Sequence, residues 1–82
     1  MHPLLKEADN IYRNAKMQKL CQKYHGEDYT RKFLFFLERA KRRLERAYRS
    51  GELSKEEIEK ANKLAYLIEK ELEEIKNEGN IN

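Results

Sequence analysis

The sequence has few of the residues that build covalently linked or membrane-inserted proteins. Cys21 is the single cysteine, so no disulfide can form within the chain. The longest apolar run, residues 33–37, is far shorter than the roughly 20 residues that a membrane-spanning helix needs. The first residues also lack the apolar stretch of a signal peptide. We therefore expect a cytoplasmic protein that does not bind membranes, since an unpaired thiol is typical of a reducing compartment.

Glycine and proline, the residues that interrupt helices, are scarce. The three glycines, Gly26, Gly51 and Gly79, are widely spaced, and the one proline, Pro3, stands where a first helical turn tolerates it. The chain of 82 residues is short enough to form one domain. The spacing of these residues predicts a single helical domain, residues 1–82, made of three helical segments with a frayed tail at about 77–82.

Apolar spacing supports an all-α fold. The second and third segments each carry apolar residues at the spacing of one helix face, and alternation typical of a strand is missing. Ser54 and Glu57 form a capping box that starts the third segment, and Leu53 and Ile58 occupy the positions of a hydrophobic staple. The predicted architecture is an antiparallel helical hairpin (about 28–49 and 54–78) plus an N-terminal helix (about 3–24), bundle-like and able to oligomerise.

The N-terminal segment carries two apolar sets that point in nearly opposite directions. The first half includes Leu4, Ala8, Ile11 and Ala15, whereas the second half has Met17, Leu20, Cys21 and Tyr24. One straight helix cannot bury both sets against the same neighbour. Either the helix breaks near Lys16, or its halves serve different surfaces. The second set is our predicted interface with another copy or a partner, because soluble monomers avoid exposed apolar patches.

Charged residues make up 40% of the sequence, well above the roughly 25% of ordinary globular domains. Glutamate and lysine dominate, with only two glutamines, a bias that resembles thermophile proteins. Spacing of four residues predicts helix-stabilising ion pairs. The predicted pairs are Glu38–Arg42, Glu45–Arg49, Glu56–Lys60 and Glu59–Lys63.

The formal net charge of +3 conceals an uneven distribution. Residues 1–25 have five basic and two acidic groups, and residues 26–51 have eight and four. Residues 52–82 have five basic and nine acidic groups, so the C-terminal third is acidic and the rest is basic. A basic region of this kind is typical of proteins that contact nucleic acid or acidic protein surfaces.

The basic residues of the second segment gather on the side of its helix opposite the apolar stripe. Arginine predominates, and its planar guanidinium group suits phosphate and carboxylate oxygens. An aromatic side chain among arginines can stack on a base. The predicted nucleic-acid contacts are Lys32, Phe35, Arg39, Arg42, Arg43, Arg46 and Arg49. The alternative is that the acidic third segment pairs with these charges inside the hairpin.

Candidate catalytic and metal-binding residues are few. Cys21 and His25 stand four residues apart, as an activated thiol requires, but no orienting third group is evident. Cys21, His25, Glu27 and Asp28 match no common zinc spacing. The carboxylates of the third segment, Glu69, Glu71, Glu73 and Glu74, are interpreted as a solvated helix face. We expect neither catalysis nor a metal or cofactor.

Two functional hypotheses follow. The first is a non-catalytic module that binds nucleic acid, or a complex that processes it, without sequence specificity. No helix-turn-helix spacing or base-reading arm supports specific recognition. The alternative is a protein–protein interaction module, either an accessory subunit or a homo-oligomer that self-associates through the N-terminal helix.

Overall fold

The structure is a computed structural model that describes residues 1–80, with side chains as far as Asn77. It consists of three α-helices: α1 (Pro3–Tyr24), α2 (Thr30–Ser50) and α3 (Lys55–Asn80). No strand occurs within residues 1–80, so the all-α, bundle-like prediction is confirmed. Since α1 is uninterrupted, its two apolar sets serve different surfaces and the alternative of a break near Lys16 is wrong.

Local hydrogen bonds fix the ends of α1 and α2. Pro3 begins α1, and the imidazole Nδ1 of His2 accepts a hydrogen bond from the Leu4 N–H. The Asp28 carboxylate accepts a hydrogen bond from the Thr30 N–H at 3.0 Å. Asp28 therefore lies just before α2, which begins two residues later than the predicted start at about residue 28. Gly51 ends α2 with φ of 68°, a left-handed conformation that glycine adopts without steric cost.

The predicted capping box of α3 is confirmed. Ser54 Oγ accepts from the Glu57 N–H at 3.2 Å, and the Glu57 carboxylate accepts from the Ser54 N–H at 3.0 Å. Glu57 also accepts from the His2 N–H, which ties the start of the chain to the start of α3. The helix continues through Gly79 to Asn80, so Gly79 does not end it. Residues 81 and 82, the end of the tail that we expect to fray, lie outside the described residues.

The core runs along one face of each helix. Leu53 packs against this core, but Ile58, the other residue of the predicted staple, is exposed. The apolar stripe of α2 is buried at five positions. From the first-half set of α1, Ala8 and Ala15 are buried, whereas Leu4 and Ile11 are half-buried. The buried core residues are Leu5, Ala8, Tyr12, Ala15, Phe33, Leu37, Ala40, Leu44, Ala47, Ala61, Leu64 and Ile68.

The three pairs of helices differ in how extensively they contact each other. α1 lies closest to α2, and each of these helices buries two alanines seven residues apart: Ala8 and Ala15 in α1, Ala40 and Ala47 in α2. Small side chains let helix axes approach closely, because interaxial distance depends on the residues at the contact. The contact between α1 and α3 is the sparsest of the three. An open apolar groove lined by Leu5, Tyr12, Leu64 and Leu67 separates them over their first halves.

An ion cluster around the buried Glu71 joins α1 to α3 about one helical turn beyond this groove. The Glu71 carboxylate accepts from Lys16 Nζ at 2.6 Å and from Lys19 Nζ at 3.0 Å. Lys19 Nζ also lies 4.8 Å from the centroid of the Phe33 ring, a favourable cation–π distance. Glu71 is only 7% exposed, so its interpretation as part of a solvated helix face is wrong. Its position, three residues after Ile68 and four before Ile75, places it on the core stripe of α3.

The ion cluster shifts the titration of its members in ways that link stability to pH. Burial alone would raise the pKa of Glu71, but the ammonium groups of Lys16 and Lys19 outweigh it and the pKa is lowered. The hydrogen bond to Glu71 raises the pKa of Lys16. The Glu71 contribution is therefore present above its unfolded pKa and lost as pH falls through the lower folded pKa. The Lys16 contribution is present below its unfolded pKa and lost as pH rises through the higher folded pKa.

Replacing Glu71 with glutamine should lower the free energy of unfolding by about 2–3 kcal/mol near neutral pH, because two partly buried ammonium groups lose their anion. Urea unfolding from about pH 7 to about pH 3 measures this difference. The difference should shrink in acid, because the wild-type Glu71 carboxylate is neutralised as pH falls through its lowered folded pKa. The matched control, Glu73→Gln on the exposed face of α3, should change stability by less than about 0.5 kcal/mol. A Glu71→Gln difference that is independent of pH would contradict this assignment.

Candidate nucleic-acid interface

The two flanks of α2 face different neighbours. On one flank, Lys41 Nζ lies 3.0 Å from the Glu69 carboxylate and the Tyr48 hydroxyl donates to Asn62 Oδ1 at 2.6 Å, so this flank faces α3. On the other flank, Arg43 Nε donates to the Glu7 carboxylate of α1 at 3.0 Å. The hydrogen bond to Glu69 raises the pKa of Lys41 and keeps this lysine charged. The acidic helix α3 thus pairs with Lys41, which is not one of the predicted contacts.

The structure leaves most of the predicted basic face open to solvent. Six of its seven residues are exposed: Lys32, Phe35, Arg39, Arg42, Arg46 and Arg49. Arg43 is the exception, because its side chain is 24% exposed and holds Glu7. The helical periodicity of α2 divides these seven residues between two sides. The flank that faces α1 carries residues 32, 39, 43 and 46, and the outer side carries residues 35, 42 and 49. We call the five exposed cations, Lys32, Arg39, Arg42, Arg46 and Arg49, the cationic face.

The predicted helix-stabilising ion pairs do not form. The charged nitrogen and oxygen atoms stay more than 4.0 Å apart in Glu38–Arg42, Glu45–Arg49, Glu56–Lys60 and Glu59–Lys63. Within the described residues, the pair that does form at this spacing is Asp9–Arg13, at 3.1 Å. Long exposed side chains lose conformational entropy on pairing, and the gain in water is small. Among the described residues, no carboxylate lies within 4.0 Å of the cationic face. These charges remain available to an external anion.

An open groove runs between α1 and α2 beside the cationic face. Two neighbouring depressions, which share Gln18 and Phe36 in their linings, form it, and we call them together the α1–α2 groove. α1 lines it with Asn14 and Gln18, and α2 lines it with Arg31, Lys32, Phe35, Phe36 and Arg39. Arg31, Asn14 and Gln18 were not predicted as site residues. Arg31 precedes Phe35 by one helical turn, a spacing that identifies it on the same face, but the contribution of α1 depends on tertiary packing.

Phe35 is the exposed one of the three phenylalanines. Its side chain is 59% exposed, although neighbouring Phe33 is buried and Phe36 is half-buried. The ring of Phe36 meets the Phe35 ring edge-on, with centroids 5.6 Å apart and planes at 75°. This arrangement favours a defined ring orientation, because edge-to-face aromatic pairs are attractive. Phe35 therefore presents aromatic surface to solvent between Arg31 and Arg39.

The second predicted site, on the outer face of α1, is also solvent-exposed. Tyr24 is 87% exposed, and Met17, Leu20 and Cys21 are exposed as well. Residues 10–26 include four basic residues and no acidic one, but three of the four pair with carboxylates on α1 or α3. A partner for this apolar face remains a prediction.

The remaining candidates are the Cys21–His25 pair and the possible metal ligands near it. Cys21 and His25 are exposed, and the His25 ring packs edge-on against Tyr24. In the described part of the chain, no group of three His, Cys, Asp or Glu residues could hold a metal ion. No helix within residues 1–80 is both long and apolar enough to cross a membrane. No protein-family model, curated protein or solved structure matches the chain.

Proposed function

We propose that the protein is a small, non-catalytic helical module that binds nucleic acid through the cationic face of α2. The observation that carries the proposal is the separation of charges: α3 pairs with Lys41 on one flank of α2, whereas the cationic face on the other side has no carboxylate within 4.0 Å among the described residues. An intramolecular network would have been the main structural alternative for these arginines. Only Arg43 is engaged in such a pair.

The chemistry of this face suits phosphate. Guanidinium groups donate paired N–H groups to phosphate oxygens, and five cations spread over five turns of helix match an extended polyanion. Neutralised phosphates release counterions, so the affinity should fall steeply with salt. Backbone contacts carry no sequence information, and we therefore propose binding without sequence specificity.

Reversing two charges of the cationic face tests the proposal. The double variant Arg42→Glu/Arg46→Glu should weaken binding to labelled RNA and DNA, and should reduce the slope of log Kd against log salt by about 1–2, because roughly two phosphate contacts are lost. Fluorescence anisotropy at low and near-physiological salt gives both quantities.

The matched control is Lys60→Glu/Lys63→Glu, which makes the same change in net charge on an exposed face of α3. It should alter the affinity far less and leave the salt slope nearly unchanged. Equal effects of the two double variants would show that net charge alone attracts nucleic acid. Absence of binding at low salt would contradict the proposal.

A second candidate function is self-association or partner binding through the outer face of α1. It is favoured by the exposure of Leu20 and Tyr24, 63% and 87%, since large apolar side chains clustered on one face mark interaction sites. The two functions are compatible, because this face and the cationic face belong to different helices.

Leu20→Glu should dissociate such an assembly, because a carboxylate replaces the apolar side chain at the centre of the face. Analytical ultracentrifugation of the wild type and the variant over a range of concentrations measures the mass. Tyr66→Glu is the matched control, since Tyr66 is equally exposed but lies on α3. A wild-type protein that stays monomeric at the highest concentration would contradict self-association.

A further inference from the structure

We infer that the α1–α2 groove is a base-binding site for single-stranded nucleic acid, in which an unpaired base stacks on Phe35. This inference rests on the proposed function and specifies the form of nucleic acid that the protein binds. It follows from three features of the groove: an exposed aromatic ring, cations on both sides of it along α2, and side-chain amides on the facing helix.

The aromatic ring is placed to receive a base. Phe35 is 59% exposed at the wall of the groove, and its neighbour Phe36 contacts it edge-on. Base–aromatic stacking stabilises complexes with single strands, and it tolerates all four bases because every base has a π-face. In a duplex, neighbouring base pairs already cover these faces, so Phe35 could contact only a groove edge or a distorted step. The exposed ring therefore favours a single strand over a duplex.

The cations are placed to hold the phosphates that flank such a base. Arg31 lies one helical turn before Phe35 and Arg39 one turn after it, so the three side chains follow one another along α2. Lys32 lines the same groove. Arg31, Lys32 and Arg39 have no carboxylate within 4.0 Å among the described residues, and the surface is therefore complementary to an anion. A strand that runs along α2 would place successive phosphates beside Arg31 and Arg39.

The facing wall from α1 supplies hydrogen-bonding groups without charge. Gln18 lines the depression that holds Phe35, and Asn14 lines the neighbouring depression together with Arg39. A side-chain amide carries both donors and an acceptor, and by rotation it can pair with the exposed edge of different bases. The Watson–Crick edges of the bases are free only in a single strand, because base pairing occupies them in a duplex. The amide wall therefore supports the same ligand as the aromatic ring.

The test compares the full-length wild type with Phe35→Ala, using labelled oligonucleotides of about 12 nucleotides as single-stranded RNA, single-stranded DNA and the corresponding duplex. We expect the wild type to bind single strands more tightly than the duplex. Phe35→Ala should weaken single-strand binding about tenfold and change duplex binding less than about twofold. Phe35→Tyr, which keeps the ring, should retain most of the affinity. A difference in affinity between single-stranded RNA and single-stranded DNA would identify the preferred sugar. A loss of affinity for both strands in Phe35→Ala would support base stacking on Phe35 in each case.

The matched control is Tyr66→Ala, which removes an aromatic ring of similar exposure from α3 and should leave all affinities unchanged. The inference is overturned if the duplex binds as tightly as the single strands and Phe35→Ala has no more effect than Tyr66→Ala. In that case, salt-sensitive binding that still depends on Arg42 and Arg46 would leave the proposed function standing. If no ligand binds at low salt, both the inference and the proposed function fail.

Discussion

α1 packs chiefly along α2, and the ion cluster of Glu71 with Lys16 and Lys19 also joins it to α3, so the arrangement of the three helices depends on this cluster. α1 and α3 share the sparsest contact in the bundle, and their first halves are separated by an open groove. Removing one partner from a buried ion cluster is strongly destabilising, because the remaining charge has no counter-charge. The cluster therefore favours the arrangement of the helices in which all three side chains meet. With α1 packed along α2, the side of α1 that includes Ala8 and Ala15 is buried, and its amide residues line one wall of the α1–α2 groove.

This arrangement also separates the charges of the protein. Two carboxylates of α3 pair with lysines of the other helices, Glu71 with α1 and Glu69 with one flank of α2. The arginines follow the other flank and the outer side of α2, where the one acidic partner is Glu7. A modest net charge of +3 therefore conceals a strongly basic surface. That separation, rather than the overall charge, is the physical basis of the proposed binding to a polyanion.

Local signals predicted the helices well, and tertiary packing explains the differences. Ser54 with Glu57 and the glycine at Gly51 identified helix ends because their chemistry acts within a few residues. Glu71 was assigned to solvent because a charged residue on an apolar stripe counts as an interruption, and only the lysines of α1 make its burial favourable. The pairs Glu38–Arg42 and Glu45–Arg49 did not form, since sequence spacing does not fix the conformation of exposed side chains. The basic face of α2 was predictable from periodicity, whereas Asn14 and Gln18 join it only through the packing of α1.

The most direct test of the central claim is a two-dimensional NMR titration of the isotope-labelled protein with a short single-stranded RNA. We predict that chemical-shift changes concentrate in α2 between residues 31 and 46 and in α1 around residues 14–18, while α3 between residues 55 and 70 is little affected. Changes centred on α3, or on the outer face of α1 around Leu20 and Tyr24, would contradict the assignment of the cationic face and the α1–α2 groove as the nucleic-acid interface.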